Sequence, residues 1–153
     1  MIEQFIQKFN DELVNGVGLN SSYTDDKVEN IQRRLPETVT TNTFIGIVAG
    51  SQKPVQYEIG QSLPKHFSYT IEIPVLVKDL DFDNGLNRLS KIVKRVIKCL
   101  TTSKVLTLVY TDDTINEKPY HYSIENIEYE SGSGKINAHL AVITVSIKTE
   151  FSY

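Results

Sequence analysis

The chain has 153 residues, of which 40% are hydrophobic and 23% are charged. This composition is typical of globular proteins and excludes a disordered or fibrous chain, and the length suits one domain with its own core. The net charge of −3 gives no general field that would attract nucleic acid. No apolar run approaches the roughly 18 residues that cross a bilayer. The single cysteine, Cys99, excludes an intrachain disulfide and a cysteine cluster for a metal.

The N-terminal segment predicts an amphipathic helix that Gly16 and Gly18 end. The segment has neither a basic start nor a continuous apolar stretch, so no signal peptide is predicted and the protein is expected to act inside a cell. The apolar residues that share one helical stripe are Ile2, Phe5, Ile6, Phe9 and Leu13.

Residues 19–42 are polar and rich in threonine, and they predict a loop or an insertion. Alternatively, Asp25 caps a short helix that carries Val28, Ile31 and Leu35 before Pro36. The sequence leaves both alternatives open.

A hairpin is predicted next, with strands over Phe44–Ala49 and Val55–Ile59 joined by a turn at Gly50–Pro54. Residues 60–64 then break the pairing. From Phe67 to Val77 every second residue is apolar, which predicts a strand with one buried face.

Pro74 places its part of this strand at a sheet edge or beside a bulge, because proline cannot donate to a ladder. Asp83 is the predicted N-cap of a second helix that ends near Thr101. The apolar stripe of this helix is Leu86, Leu89, Val93, Val96 and Leu100.

The last third of the chain predicts three more strands. They cover Val105–Tyr110, Tyr120–Tyr129 and Ile136–Phe151, with a loop over 111–119 and a turn in SGSG. The whole order is one helix, an optional second helix, three strands, one helix and three strands. This order predicts a single α+β domain over 1–153, with a mostly antiparallel mixed sheet of about six strands packed with two or three helices.

The final strand is long enough to raise the question of assembly. Fully extended it spans roughly 50 Å, whereas a chain of this size has an expected radius of gyration of about 15 Å. Its apolar parity also changes near Leu140, which predicts a bulge there or burial on both faces. The strand either bends inside its own domain or extends onto a neighbour by edge pairing.

The second helix carries cations on the side opposite its apolar stripe, with no acid among them. This face is an ordinary solvated surface, a contact for an acidic protein or neighbouring subunit, or a contact for a phosphate backbone. The absence of interleaved aromatic residues disfavours nucleic acid. The five cations are Arg88, Lys91, Lys94, Arg95 and Lys98.

No catalytic or metal site is predicted, so we expect no enzyme activity and no cofactor. Asp79, Asp81 and Asp83 resemble the start of a calcium loop, but Asn84 replaces the required glycine and Ser90 the bidentate glutamate. Acids at this point are better explained by the N-terminal dipole of the helix that follows. The three histidines are scattered and lack metal-ligand spacing.

The element order, the length and several segments together resemble tail-terminator (tail-completion) proteins of tailed bacteriophages. The segments run from FIGIVAG through HFSYTIEIPVLVKD and GLNRLSKIVKRVIKCL to VITVSIKTEF. The resemblance covers roughly residues 43–153 and the leading helix, and it does not account for residues 19–42.

The resemblance implies a homo-hexameric ring that caps the tail tube, stops its polymerisation and provides the head-joining surface. The implied partners are further copies of the chain, the tail tube protein and a head-completion or connector protein, without membrane or direct nucleic-acid contact. The implied location is the head-proximal end of the virion tail, after assembly in the host cytoplasm. Alternatives are another head–tail connector, neck or baseplate component, or a non-phage α+β binding module.

If the resemblance holds, two predicted loops and the cationic helix face are the candidate contact surfaces. Sheet edges or loops around Gly50–Pro54 and Asp112–Lys118 are expected to contact neighbours or the tube, while the helix cations face another subunit or an acidic ring. The candidate loop residues are Gln52 and Lys53 in the first loop, and Asp112, Asp113, Glu117 and Lys118 in the second.

Overall fold

The structure, a computed structural model, describes residues 1–56, 65–132 and 136–152. In these ranges two α-helices pack against a seven-stranded mixed sheet, which confirms the predicted α+β class. The elements are α1 (Ile2–Gly16), β1 (Asn30–Gln32), β2 (Thr43–Gly46), β3 (Val48–Gln56), β4 (His66–Asp79), α2 (Phe82–Thr101), a 3₁₀ turn (Val105–Thr107), β5 (Tyr110–Asp112), β6 (Ile115–Gly132) and β7 (Asn137–Ser152).

The strand order in the sheet is β1-β2-β4-β7-β6-β5, and β3 also pairs with β4. Strands β1 and β2 are parallel, and all other pairs are antiparallel. Strands β4 and β7 form the centre, paired without a register shift from His66 opposite Glu150 to Asp79 opposite Asn137. The sheet is therefore mostly antiparallel, as its pattern predicts.

The core lies between the helices and one face of the sheet. On β4 the predicted alternation is confirmed, because every second residue from Tyr69 to Val77 is buried. Burying such side chains contributes about 1.5–3 kcal/mol each, so the buried face of β4 is a substantial part of the driving force for folding. The helices contribute Phe5, Phe9, Leu13, Leu89, Ile92, Val93, Val96 and Leu100.

Helix α2 begins two residues earlier than predicted. Its N-cap is Asp81 rather than Asp83, because the Asp81 carboxylate accepts the backbone N–H of Asn84 at 3.1 Å. Leu86, which the stripe placed in the core, is 41% exposed. The first turn lies against the sheet at Gly85, where an added Cβ would stand 2.9 Å from Cδ2 of His139.

The predicted hairpin is wrong, because β2 and β3 are consecutive and both pair with β4. They are interrupted only at Ile47, whose N–H donates to the carbonyl of Gln32 at 3.0 Å. Pro74 lies on the central strand β4 rather than at an edge, where it pairs with Val142 of β7 and lies opposite Gly46 of β2. The predicted turn at Gly50–Pro54 is part of β3, and the part of the return strand beyond Gln56 lies outside the described residues.

The final strand lies inside its own domain. Strand β7 lies between β4 and β6, so it does not project as an arm. The predicted bulge near Leu140 is wrong, because His139 takes the buried position that continues the face of Ala141 and leaves Leu140 on the opposite face. The register shifts fall in β6 instead, at Pro119/His121 and Ile124/Asn126.

Residues 19–42, for which a loop and a short helix were both open, contain no helix. They supply the short strand β1, which pairs with β2, and Val28 is buried in the core. In place of a strand over Val105–Tyr110 the chain forms a 3₁₀ turn followed by β5. The predicted 111–119 loop is a tight hairpin in which Asp112 pairs with Ile115 and Asp113 has a positive φ of 30°.

Candidate assembly surfaces

The cationic face of α2 is largely occupied by the chain itself. Lys91 Nζ lies 2.8 Å from Asp25 Oδ2 and 3.1 Å from Asp26 Oδ2, and Arg95 Nη2 lies 2.9 Å from Asp25 Oδ1. Arg88 bridges Asp26 at 2.9 Å and Asp79 at 3.1 Å. Three of the five predicted partner-binding cations are therefore neutralised within the chain.

Residues 19–42 are held on α2 by more than these ion pairs. The guanidinium of Arg95 lies 3.8 Å from the centre of the Tyr23 ring, and its Nη1 donates to the carbonyl oxygens of Asp25 and Asp26 at 2.8 and 3.2 Å. Cation–π contacts and several hydrogen bonds from one side chain fix its position. The polar segment predicted as a loop or insertion is therefore attached to α2 in this part.

Electrostatics favour the ionised form of both aspartates. Hydrogen bonds from Lys91 and then Arg95 lower the pKa of Asp25 to about 2. Burial would raise the pKa of Asp26, but the hydrogen bonds and charges of Lys91 and Arg88 outweigh burial and lower it. The pKa of Lys91 is raised, chiefly by its hydrogen bonds to the two aspartates. The cluster is therefore fully charged near neutral pH.

Lys94 and Lys98 are the members of the predicted face that stay available. Both side chains are exposed, and neither forms an ion pair within the described ranges. They can still meet an acidic surface on another molecule, but two cations form a much smaller patch than five.

The residues of the first predicted loop lie on β3. The amide of Gln52 donates to the hydroxyl of Tyr69 at 3.1 Å, on the side of the sheet that faces the helices. Lys53 pairs with Ser68 of β4 and is exposed on the opposite face. Lys53 is therefore accessible to a partner, although it belongs to a strand rather than a turn.

The prediction that Glu117 in the second loop contacts a partner is wrong, because this residue is only 2% exposed. Its Oε2 accepts the hydroxyls of Tyr69 and Thr149, each at 2.7 Å. Burial and then this hydrogen bond raise the pKa of Tyr69, so the phenol stays protonated. Glu117 thus acts inside the fold. The exposed members of this loop are Asp112, Asp113 and Lys118.

The sequence predicted contact through sheet edges or loops, but it did not predict which strands form the free edges. Within the described ranges, β3 pairs only with β4, and β6 pairs with β5 only from Ile115 to Glu117. Over residues 118–132, β6 has no second strand neighbour in the described part of the chain. Unpaired backbone N–H and C=O groups along an edge can pair with another strand. The sequence pattern predicted a strand in the region of β6, but it gave no information about which strands lie beside it.

The free edges carry opposite charge. Residues 120–132 of β6 contain three exposed glutamates and no Lys or Arg, whereas β3 contains Lys53 and no acid. Glu125 accepts a hydrogen bond from Ser123 and Glu128 one from Asn126, each at 2.9 Å, and the three glutamates have no ion pair among the described residues. The three are Glu125, Glu128 and Glu130.

The candidate ligand sites of the sequence do not assemble in the described residues. No group of three or more His, Cys, Asp or Glu residues is placed to hold a metal there. Asp79 accepts the N–H of Asp81 at 2.9 Å and pairs with Arg88, so its oxygens are used within the fold. A groove of about 780 Å³ between α1 and β1 is lined mostly by polar side chains.

Comparisons with known proteins give no family. No protein-family model matches the chain, and no curated protein matches it. The chain is similar to a solved structure whose name states no function, with 8% identity and a TM-score of 0.46 over 99% of this chain and 93% of that chain. A likeness at this level carries no argument about function. Among the described residues, no helix has the length and apolar character to span a membrane.

Proposed function

We propose that this protein is a structural subunit that associates head to tail with its own copies and caps a tube, as the resemblance to phage tail terminators implies. The observation that supports the proposal is the presence of two free sheet edges, β3 and β6, on opposite sides of the same sheet. Two different edges allow a heterologous contact, which closes into a ring when the rotation between subunits permits.

The strand directions support the same contact. From β3 through β4 and β7 to β6, each strand is antiparallel to the previous one. A second copy added in the same orientation therefore brings its β3 antiparallel to β6 of the first copy. Antiparallel pairing is the arrangement already used through most of this sheet.

In this role the protein binds other copies, the tail tube protein and a head-side connector. The exposed Lys94 and Lys98 lie on the helix side, where they are available to an acidic partner, and the exposed tip at Asp112 and Asp113 offers a second contact. The function places the protein at the head-proximal end of the virion tail, and it requires no catalysis, membrane or direct contact with nucleic acid.

The test is to measure the mass of the purified protein by size exclusion with light scattering across a wide range of concentrations. Negative-stain images with tail tube protein of the same phage then show whether rings sit on tube ends and whether tube length is limited. We expect rings, and shorter tubes when the protein is present. A monomer that leaves tube growth unchanged contradicts the proposal, and rings that bind only connector or baseplate particles favour the alternative phage components.

A further inference from the structure

The free edge of β6 carries exposed glutamates, and β3 of the same chain has a free edge with the exposed Lys53. Residues 127–130 lie beyond the register shift at Ile124/Asn126, so this part of the edge is regular. In β3 the residues between its two register shifts, Ser51–Pro54, form a regular stretch of the same length. These two short stretches are the parts of the free edges best suited to continuous pairing.

We infer that Ser51–Pro54 of one copy pairs antiparallel with Ile127–Glu130 of the next copy, so that the sheet continues from subunit to subunit. This inference rests on the self-association proposed above and names the surfaces that carry it. In this register Lys53 lies opposite Glu128, and Ser51 lies opposite Glu130. Directly opposite residues on one sheet face stand close enough for their charges to interact.

The two charges lie on the same face of the sheet. Lys53 pairs with Ser68 and Glu128 pairs with Val142, and both partners alternate with buried residues of β4 and β7. Both side chains are therefore on the face away from the helices. A sheet that continues across the contact without a flip brings Lys53 and Glu128 onto a shared surface.

Charge also disfavours the competing symmetric contact. If β6 paired antiparallel with β6 of a second copy so that Glu128 lay opposite Glu130, two such glutamate pairs would form, and like charges directly opposite one another are destabilising. Pairing of β3 with β3 would likewise place Lys53 near Lys53. A contact between the two different edges avoids both repulsions, and this selects head-to-tail association over a twofold dimer.

Position in the sheet supports the same register. Strands β2 and β3 lie in line beside β4, and β1 pairs with the outer side of β2. If a second copy were added without a shift along the strands, its β1 would therefore collide with the C-terminal end of β6 of the first copy. Sliding the second copy along the strand direction moves β1 past that end and brings β3 to Ile127–Glu130. The stagger is of the kind required when a sheet closes around an axis.

A charge-swap cycle tests the pairing. We expect Glu128→Lys and Lys53→Glu each to weaken self-association about three- to tenfold at low salt, measured by analytical ultracentrifugation. Both changes in one chain restore the attraction and should recover most of the association. Lys104→Glu is the matched charge control, because Lys104 is exposed, lies away from both edges and has no ion pair among the described residues. Loss without recovery in the double variant would overturn the inference.

Disulfide mapping gives an independent measurement. In a Cys99→Ala background, Ser51→Cys with Glu130→Cys should yield a ladder of linked multimers on mild oxidation, because opposed residues of antiparallel strands lie within disulfide reach. Glu72→Cys with Glu130→Cys is the control, since Glu72 is exposed but lies on the central strand β4. The control pair should give no ladder.

The outcomes separate this inference from the proposed function. A ladder with no effect on tubes supports the strand pairing and contradicts tube capping. Oligomers without a ladder or charge-swap recovery overturn the pairing and leave self-association in place. A monomer under all conditions overturns both, and it would show that Lys53, Pro54 and the register shifts keep these edges closed, as such features do in other sheet proteins.

Discussion

Glu117 holds the middle of the sheet together through hydrogen bonds rather than through a charge partner. Its carboxylate accepts a hydroxyl from Tyr69 on β4 and from Thr149 on β7, while it lies itself on β6. Three neighbouring strands are therefore joined by one buried side chain. A buried polar group is stabilising only while its partners are satisfied, so the cost of removing this acceptor is larger than the net gain from making the bonds.

We expect Glu117→Ala to lower the free energy of unfolding by about 1–3 kcal/mol, because it leaves the hydroxyls of Tyr69 and Thr149 without their acceptor. Urea denaturation monitored by circular dichroism measures the change. Glu130→Ala, at an exposed position on the same strand, is the control and should change stability by no more than about 0.5 kcal/mol. Equal effects of the two substitutions would contradict the buried role of Glu117.

At the level of elements, residues 19–42 are a strap that α2 holds by charge. Asp25 and Asp26 meet Arg88, Lys91 and Arg95, so the anchor depends on the ionised form of two carboxylates. Folding lowers the pKa values of Asp25 and Asp26 from the ordinary value of 3.8. The stability that their ion pairs contribute is therefore complete above pH 3.8 and is lost as the pH falls toward about 2, the pKa of Asp25 in the folded protein. Salt screens the exposed part of the same anchor.

Asp25→Asn combined with Asp26→Asn should therefore speed amide hydrogen exchange in residues 19–29 while leaving the centre of α2 unchanged. In the wild-type protein the same segment should loosen between about pH 4 and pH 2, and the double variant should lose that pH dependence. Hydrogen exchange followed by mass spectrometry measures both effects. Asp83→Asn, an exposed acid without an ion pair in the described residues, is the control. Unchanged exchange in the double variant would contradict the anchoring role.

For the whole molecule, stability should be graded from the centre of the sheet to its margins. Strands β4 and β7 are paired on both sides over most of their length, whereas β1 and β5 are three-residue strands at the two ends of the strand order. Local opening is easiest where few buried contacts hold the backbone.

We expect the slowest amide exchange at Ile71, Ile73, Ile143 and Val145, with rates that approach global unfolding, and much faster exchange in β1 and β5. Amide exchange followed by NMR at single residues measures this order. Self-association adds a second expectation, since exchange in residues 127–130 of β6 should slow as protein concentration rises. Protection of β5 equal to that of β7 would contradict the graded order.

The sequence by itself determined those elements in which a local pattern is strong. The strict alternation before Val77 and the helical stripes of α1 and α2 predicted their elements, because one buried face imposes a period that short-range sequence records. The cations of α2 could be read in the same way, but their partners could not, since Asp25 and Asp26 lie more than sixty residues away along the chain.

Only the tertiary structure decided which strands pair and which charges meet. The predicted hairpin at Gly50–Pro54 failed because β3 forms its ladder with β4, and the inward position of His139 followed from the unbroken register of β4 with β7. Pairing over long sequence distances depends on the whole sheet, and local residues do not encode it. The free edges of β3 and β6 were likewise decided by the tertiary structure. A strand is an edge because it lacks a neighbour within the described sheet, and its own residues do not record that.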